Sequence, residues 1–179
     1  IDIHNQDSIQ DVKADVAIEF SRPEAAYENV KRCLESNLPV VCGTTGWLDK
    51  KSVIEDLCRA KQGTFFYASN FSVGVNIFFK LNAYLAGMMN NFPDYQVLVD
   101  EIHHTQKKDA PSGTAITIAE DIIKKLDRKK QWINAKEEHP EQLSILSHRI
   151  DPAPGTHSVT YKSVIDDIEI KHTAHTREG

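Results

Sequence analysis

With 179 residues, 40% of them hydrophobic and 26% charged, the sequence has the balance of a globular chain, long enough for one large domain or two small ones. A net charge of −5 argues against a nucleic-acid binder, which carries a basic face, and no apolar run approaches the length that spans a bilayer. No basic start precedes an apolar stretch, so no signal peptide is expected.

The chain opens in what reads as a strand end, Ile1-Asp2-Ile3, as if an upstream segment preceded it. Val16-Ala17-Ile18 is a short apolar strand, and Ser21 with Glu24 has capping-box spacing for a helix with Pro23 in its first turn. Ala26, Val30, Cys33 and Leu34 share one face of that helix, and Asn37 and Pro39 end it. A second strand, Pro39-Val40-Val41-Cys42, runs into Gly43-Thr44-Thr45-Gly46. A helix over about 49–60 buries Ile54, Leu57 and Cys58, and a strand over 64–68 follows. This order of short apolar strands and helices predicts a parallel, doubly wound sheet. Cys33, Cys42 and Cys58 form no CxxC pair and read as reduced core thiols of a cytoplasmic protein.

From Asn70 the pattern changes. A long helix through Met89 carries Ile77, Leu81 and Leu85 on its apolar stripe. A strand over 95–103 has Val97 and Val99 on one face, and a polar loop over 105–111 leads to Ser112, which caps a helix burying Ala115, Ile118, Ala119, Ile122 and Leu126. The charged stretch 127–141 reads as a connection, with the run 124–130 as the solvated end of the helix. Strands over 143–150, 158–165 and 168–174 complete a mixed or antiparallel sheet. The fold class predicted is therefore α/β: a truncated Rossmann-type domain over residues 1–71, then an α+β substrate and oligomerisation domain over 72–179.

Two places can hold chemistry. Gly43-Thr44-Thr45-Gly46 and Asn70-Phe71 follow buried parallel strands, where open α/β sheets bind ligands. The segment Glu101-Ile102-His103-His104 with Lys107, Lys108 and Ser112-Gly113-Thr114 puts imidazoles and ammonium groups beside a helix N-terminus. Free N–H groups and a partial positive charge at such an end attract carboxylates, and His donates a proton near neutral pH. Together they suit a small dianionic substrate that gains a proton and a hydride. Adjacent His residues on a strand face opposite ways, and no Cys or third His stands at ligand spacing, so no metal site is expected. His4, His139 and His148 read as surface or loop residues, His157, His172 and His175 as structural, and Trp47 and Trp132 as packing residues.

Gly43-Thr44-Thr45-Gly46, then Ala68-Ser69-Asn70-Phe71-Ser72-Val73-Gly74-Val75-Asn76, then Glu101-Ile-His103-His104 with Lys107 and Asp109-Ala-Pro-Ser-Gly-Thr-Ala115, in that order and spacing, resemble the dihydrodipicolinate reductase family over essentially the whole chain. The resemblance implies reduction of dihydrodipicolinate to tetrahydrodipicolinate with NADH or NADPH, in lysine and diaminopimelate biosynthesis. It implies cofactor contacts from Gly43, Thr44, Thr45, Ala68, Ser69, Asn70 and Phe71. It assigns His103 and Lys107 as catalytic, and His104, Ser112, Gly113 and Thr114 as binding the substrate's carboxylates. It further implies a cytoplasmic homotetramer with no nucleic-acid or membrane partner.

Two features of the family are not in this sequence: a first G-x-G-x-x-G strand–helix unit, and a helix beyond the segment Thr176-Arg-Glu-Gly179. Asp2 stands where an acidic residue would bond the adenosine ribose, and a chain of this extent is expected to bind cofactor weakly. The competing expectation is a non-catalytic binding or assembly module that keeps the same fold.

Overall fold

The structure, a computed structural model, describes Ile9 and residues 13–176. The readings that rest on Ile1-Asp2-Ile3 and His4 lie outside the described residues, as do residues 177–179. The chain forms two compact units, Ile1–Ser69 and Asn70–Gly179.

Unit 1 alternates strand and helix: β1 (Ala17–Glu19), α1 (Pro23–Glu35), β2 (Val40–Cys42), a 3-10 turn (Leu48–Lys50), α2 (Lys51–Ala60) and β3 (Phe65–Tyr67). The strands pair in parallel in the order β1-β2-β3, with Ile18 opposite Val41 and Val41 opposite Phe66. Their core is the one the periodicity predicts, with Ala26, Val30, Cys33, Leu34, Val40, Cys42 and Ile54 buried and Leu57 and Cys58 packed at its margin. Trp47 belongs to this core, edge-on to Phe65 and Tyr67, and its Nε1 donates to the Thr44 carbonyl at 2.7 Å.

The start of α1 departs from expectation. Its N-cap is Arg22, with no side-chain cap hydrogen bond. The Ser21 hydroxyl turns back to donate to Glu19, because that buried carboxylate has a stronger claim on a nearby donor than a helix end in water.

Unit 2 contains α3 (Val73–Met89), β4 (Gln96–His103), α4 (Gly113–Ile123), β5 (Gln131–Ile133), β6 (Gln142–Arg149), β7 (Gly155–Lys162) and β8 (Asp167–Ala174). The sheet order is β5-β6-β4-β7-β8. β4 runs parallel to β6 and antiparallel to β7, so the sheet is mixed, in agreement with the α/β class. Val97, Val99, Ile145, Val159 and Tyr161 pack against Ala115, Ile118, Ala119 and Ile122 of α4, each large aliphatic contributing about 1.5–3 kcal/mol.

Three expectations are corrected here. Helix α3 buries Val75, Phe78, Asn82, Leu85, Ala86 and Met89, while Ile77 is 62% and Leu81 47% exposed. The helix is apolar nearly all round, so periodicity alone does not select the buried stripe. The charged connection contains a strand, β5, with Trp132 packed on the core. And Lys129, read as a solvated cation, is 1% exposed, its ammonium held by Glu137 at 2.7 Å and the Gln142 carbonyl at 2.6 Å.

Lys129 ties the connection between α4 and β5 to Glu137 and to the start of β6. Lys129→Met is expected to lower the unfolding free energy by about 1–3 kcal/mol, since it removes two charge-assisted hydrogen bonds. Glu137→Gln should cost less, because Glu137 reaches water and the Gln142 carbonyl remains. Urea denaturation of the two variants checks the order.

Candidate active site

The carboxyl ends of the unit 1 strands carry one set of predicted residues. Gly43, Thr44 and Thr45 follow β2 directly, and Ala68 and Ser69 follow β3, its neighbour through the pair Cys42 and Tyr67. A Cβ on Gly43 would stand 2.2 Å from the Phe20 ring, so a larger residue there would have to displace that ring. Gly46, with φ of 80°, turns the chain in a conformation that side chains resist. Thr44 is anchored, its Oγ1 accepting from the Ser21 amide at 2.8 Å. A flat Gly-Thr-Thr turn beyond parallel strands is the place and shape at which such sheets take a nucleotide, so these residues fit the cofactor that the resemblance implies.

Sequence reasoning did not single out Glu19, at the end of β1. It is buried and receives the Ser21 amide and hydroxyl, Asn29 Nδ2 and the Cys42 thiol at 3.1 Å. Burial raises the Glu19 pKa, but the donors from Ser21, Thr44, Cys42 and Asn29 prevail and hold it below the usual carboxylate value. The Cys42 thiol is pushed up to about 12 by burial and by Glu19, so it is an unreactive one.

The second set lies in unit 2, around the end of β4. His103 is the last residue of the strand and is buried; His104 lies just past it. A tight turn follows, in which the Lys107 amide donates to the His104 carbonyl at 3.2 Å. The Lys107 side chain is partly buried, and its ammonium pairs with Asp109 at 2.8 Å. Ser112 caps α4 as predicted, its Oγ accepting from the Ala115 amide at 3.1 Å. The cap occupies the Ser112 hydroxyl, and helix geometry leaves the Gly113 and Thr114 N–H groups without intrahelical partners. Thr114 Oγ1 accepts from Asn70 Nδ2 at 3.3 Å, so Asn70, predicted for the cofactor, touches a residue predicted for the substrate. Asn70 is itself held by the Ser72 amide at 2.8 Å, while Phe71 is exposed.

Beneath these residues lies a group the sequence reading left without a role. Glu101 is 0% exposed. It shares the inward phase of Val97, Val99 and His103 on β4, and its direct partner across the antiparallel ladder is His157. On the parallel side, Arg149 of β6 stands opposite His103. The Glu101 carboxylate receives the Ser112 amide at 3.0 and 3.2 Å and Arg149 Nη2 at 3.3 Å. His103 Nδ1 lies 3.3 Å from Oε2, in ion-pair reach but without hydrogen-bond alignment, and His157 Nε2 lies at 3.7 Å. Arg149 also donates to the Asp109 carbonyl, so the same cation holds the Lys107 loop.

Burial raises the Glu101 pKa, but contacts with His103 and Ser112 outweigh it and hold the group ionised, well below the usual carboxylate range. His157, packed edge-on to His103 at 5.0 Å and 3.2 Å from Ser112 Oγ, is driven the other way: burial, then the His103 charge, lower it to about 4. The fold thus supplies the third ligand type that spacing did not reveal, since Glu101, His103 and His157 offer atoms within 4.8 Å of one another. Glu101 is already engaged by Arg149 and a backbone amide, and a guanidinium beside it opposes a dication. The arrangement is that of a carboxylate supporting an imidazole.

Residues 1–71 match the family described as dihydrodipicolinate reductase, N-terminus, and residues 74–179 the one described as dihydrodipicolinate reductase, C-terminus. A relative from Christiangramia forsetii named 4-hydroxy-tetrahydrodipicolinate reductase is 49% identical across 99% of this chain and 74% of its own length. Another of that name from Methanobrevibacter smithii is 34% identical across 97% of this chain and 65% of its own. Among solved structures, a dipicolinate-bound dihydrodipicolinate reductase from Paenisporosarcina sp. TG-14 matches with a TM-score of 0.71 at 26% identity, over 98% of this chain and 68% of that one.

The buried imidazole makes a prediction about acid stability. His157 titrates near 6.5 when unfolded and near 4 in the fold. Between those values the unfolded chain binds more protons, so stability is fully present above about pH 6.5 and falls as pH drops toward 4, by up to about 3 kcal/mol. The ionised Glu101 adds a loss of the same sign at lower pH. His157→Asn should flatten the dependence between pH 6.5 and 4, measured by urea denaturation across that range.

Proposed function

The chain belongs to the dihydrodipicolinate reductase family, and we infer from this an NAD(P)H-dependent oxidoreductase that reduces the cyclic product of dihydrodipicolinate synthase to tetrahydrodipicolinate. The observation that carries the reading is the convergence, at the end of β4, of His103, Lys107 and the start of α4. A non-catalytic assembly module is not favoured, because relatives carrying the reductase name match 99% and 97% of the chain.

When bound, NADH or NADPH supplies the hydride. In unit 1 we assign its binding to Gly43, Thr44, Thr45, Ala68 and Ser69, and in unit 2 to Asn70 and Phe71. The remaining work falls to a dicarboxylate site. Gly113 and Thr114 offer N–H groups at the positive end of α4, with Ser112 fixing that end by its cap, and His104 adds a donor for the second carboxylate. His103 and Lys107 deliver the proton that the ring takes up after hydride addition. Asp109 holds and directs the Lys107 ammonium at 2.8 Å.

For assembly we favour a homotetramer built through the mixed sheet, whose second face leaves Leu98, Asp100 and Ile102 half exposed. Free thiols throughout accord with a cytoplasmic setting. No helix among the described residues is long and apolar enough to cross a membrane.

Oxidation of NAD(P)H by the full chain, coupled to dihydrodipicolinate synthase and followed up to saturating cofactor, tests the activity; no oxidation above background at saturation rejects it. Lys107→Ala is expected to lower kcat by about 100- to 10,000-fold with a smaller change in KM. An unchanged kcat removes Lys107 from proton delivery.

A further inference from the structure

Resting on the reductase reading, we propose that Glu101 is the positioning residue of the site: it holds His103 with Nδ1 inward, so that Nε2 is the atom that exchanges the proton with substrate, and it fixes the start of α4 in the same grip. The geometry is specific. Glu101 has no exposure, and the groups gathered on it come from separate elements: hydrogen-bond donors from Ser112 at the head of α4 and Arg149 on β6, and the His103 ring of β4 itself within ion-pair distance. One carboxylate therefore sets the distance between the proton-carrying imidazole and the N–H groups of Gly113 and Thr114. Arg149 extends that grip to the Lys107 loop through the Asp109 carbonyl.

Two neighbours complete the device. A Cβ at Gly155 would stand 3.2 Å from His103 Nε2, so the glycine spares that nitrogen a close side-chain contact. His157 packs edge-on against the ring at 5.0 Å, and as a buried, uncharged imidazole it does not repel a proton carried by His103. The charged or titratable groups around His103 are then Glu101 from β4, Arg149 from β6, His157 from β7 and Lys107 with Asp109 from the loop. Glu101 is the anion nearest the ring, at 3.3 Å from Nδ1. An anion there favours a proton on Nδ1 in the neutral ring, which leaves Nε2 as the atom that gains and loses one.

The test reads the ring directly. Nitrogen NMR of the imidazoles in the full chain, with His103→Gln assigning the signal, should show neutral His103 protonated at Nδ1. Glu101→Gln should shift the proton toward Nε2, lower kcat by about 100-fold with a smaller rise in KM, and displace the acid limb of the kcat–pH profile. A neutral wild-type ring protonated at Nε2 overturns the proposal, and it does so even if Glu101→Gln fails to fold. Wild-type tautomer, rate and pH profile in a folded Glu101→Gln overturn it equally. Should the wild-type chain show no NAD(P)H oxidation while the tautomer is as expected, the reductase reading falls and the positioning by Glu101 stands.

Discussion

A carboxylate removed from water must find its hydration again among protein donors, and Glu101 satisfies that demand by drawing a helix start, a strand cation and an imidazole to one point. The rest of unit 2 follows from this. β4 delivers Glu101 and His103 two residues apart on one face, its parallel neighbour β6 delivers Arg149, its antiparallel neighbour β7 delivers His157, and the loop between β4 and α4 is just long enough to bring Ser112 back. The ionic centre costs desolvation energy and adds little net stability. What it provides is a fixed geometry among a helix start, a guanidinium and an imidazole.

Unit 1 repeats the device in a weaker form. Glu19, at the end of its own strand, gathers Ser21, Asn29 and Cys42, while Ser21 in turn holds Thr44 of the glycine-threonine turn. In each unit a buried acidic residue near the carboxyl end of a strand orders the turn beside it. Parallel pairing aligns several such ends in one row, so a single carboxylate can organise backbone from more than one connection. Lys129 plays the reciprocal part away from the site, a buried cation that gathers a carboxylate and a carbonyl.

Much of this was legible in the residues. Among the described residues, apolar periodicity located the α-helices and seven of the eight strands, and the Ser112 cap and its buried face in α4 were read correctly because local spacing and tertiary burial agree there. The motif around His103, Lys107 and Ser112 carried the family. The misreadings cluster where tertiary contacts override local preference. Ser21 leaves its helix for Glu19, the three-residue β5 is too short for a periodic signal, and α3 has apolar residues on all sides.

The sequence by itself determined most of the elements and the family, because those are properties of spacing along one chain. Only the tertiary structure decided that Glu101 lies under His103, that Arg149 and His157 join it, and that Lys129 is buried. Arg149 stands 48 and His157 56 residues from Glu101, and a ladder register, not a local pattern, brings them within reach. A charge in phase with an apolar strand face marks that some partner must exist; which partner arrives is settled by the order in which the strands pair.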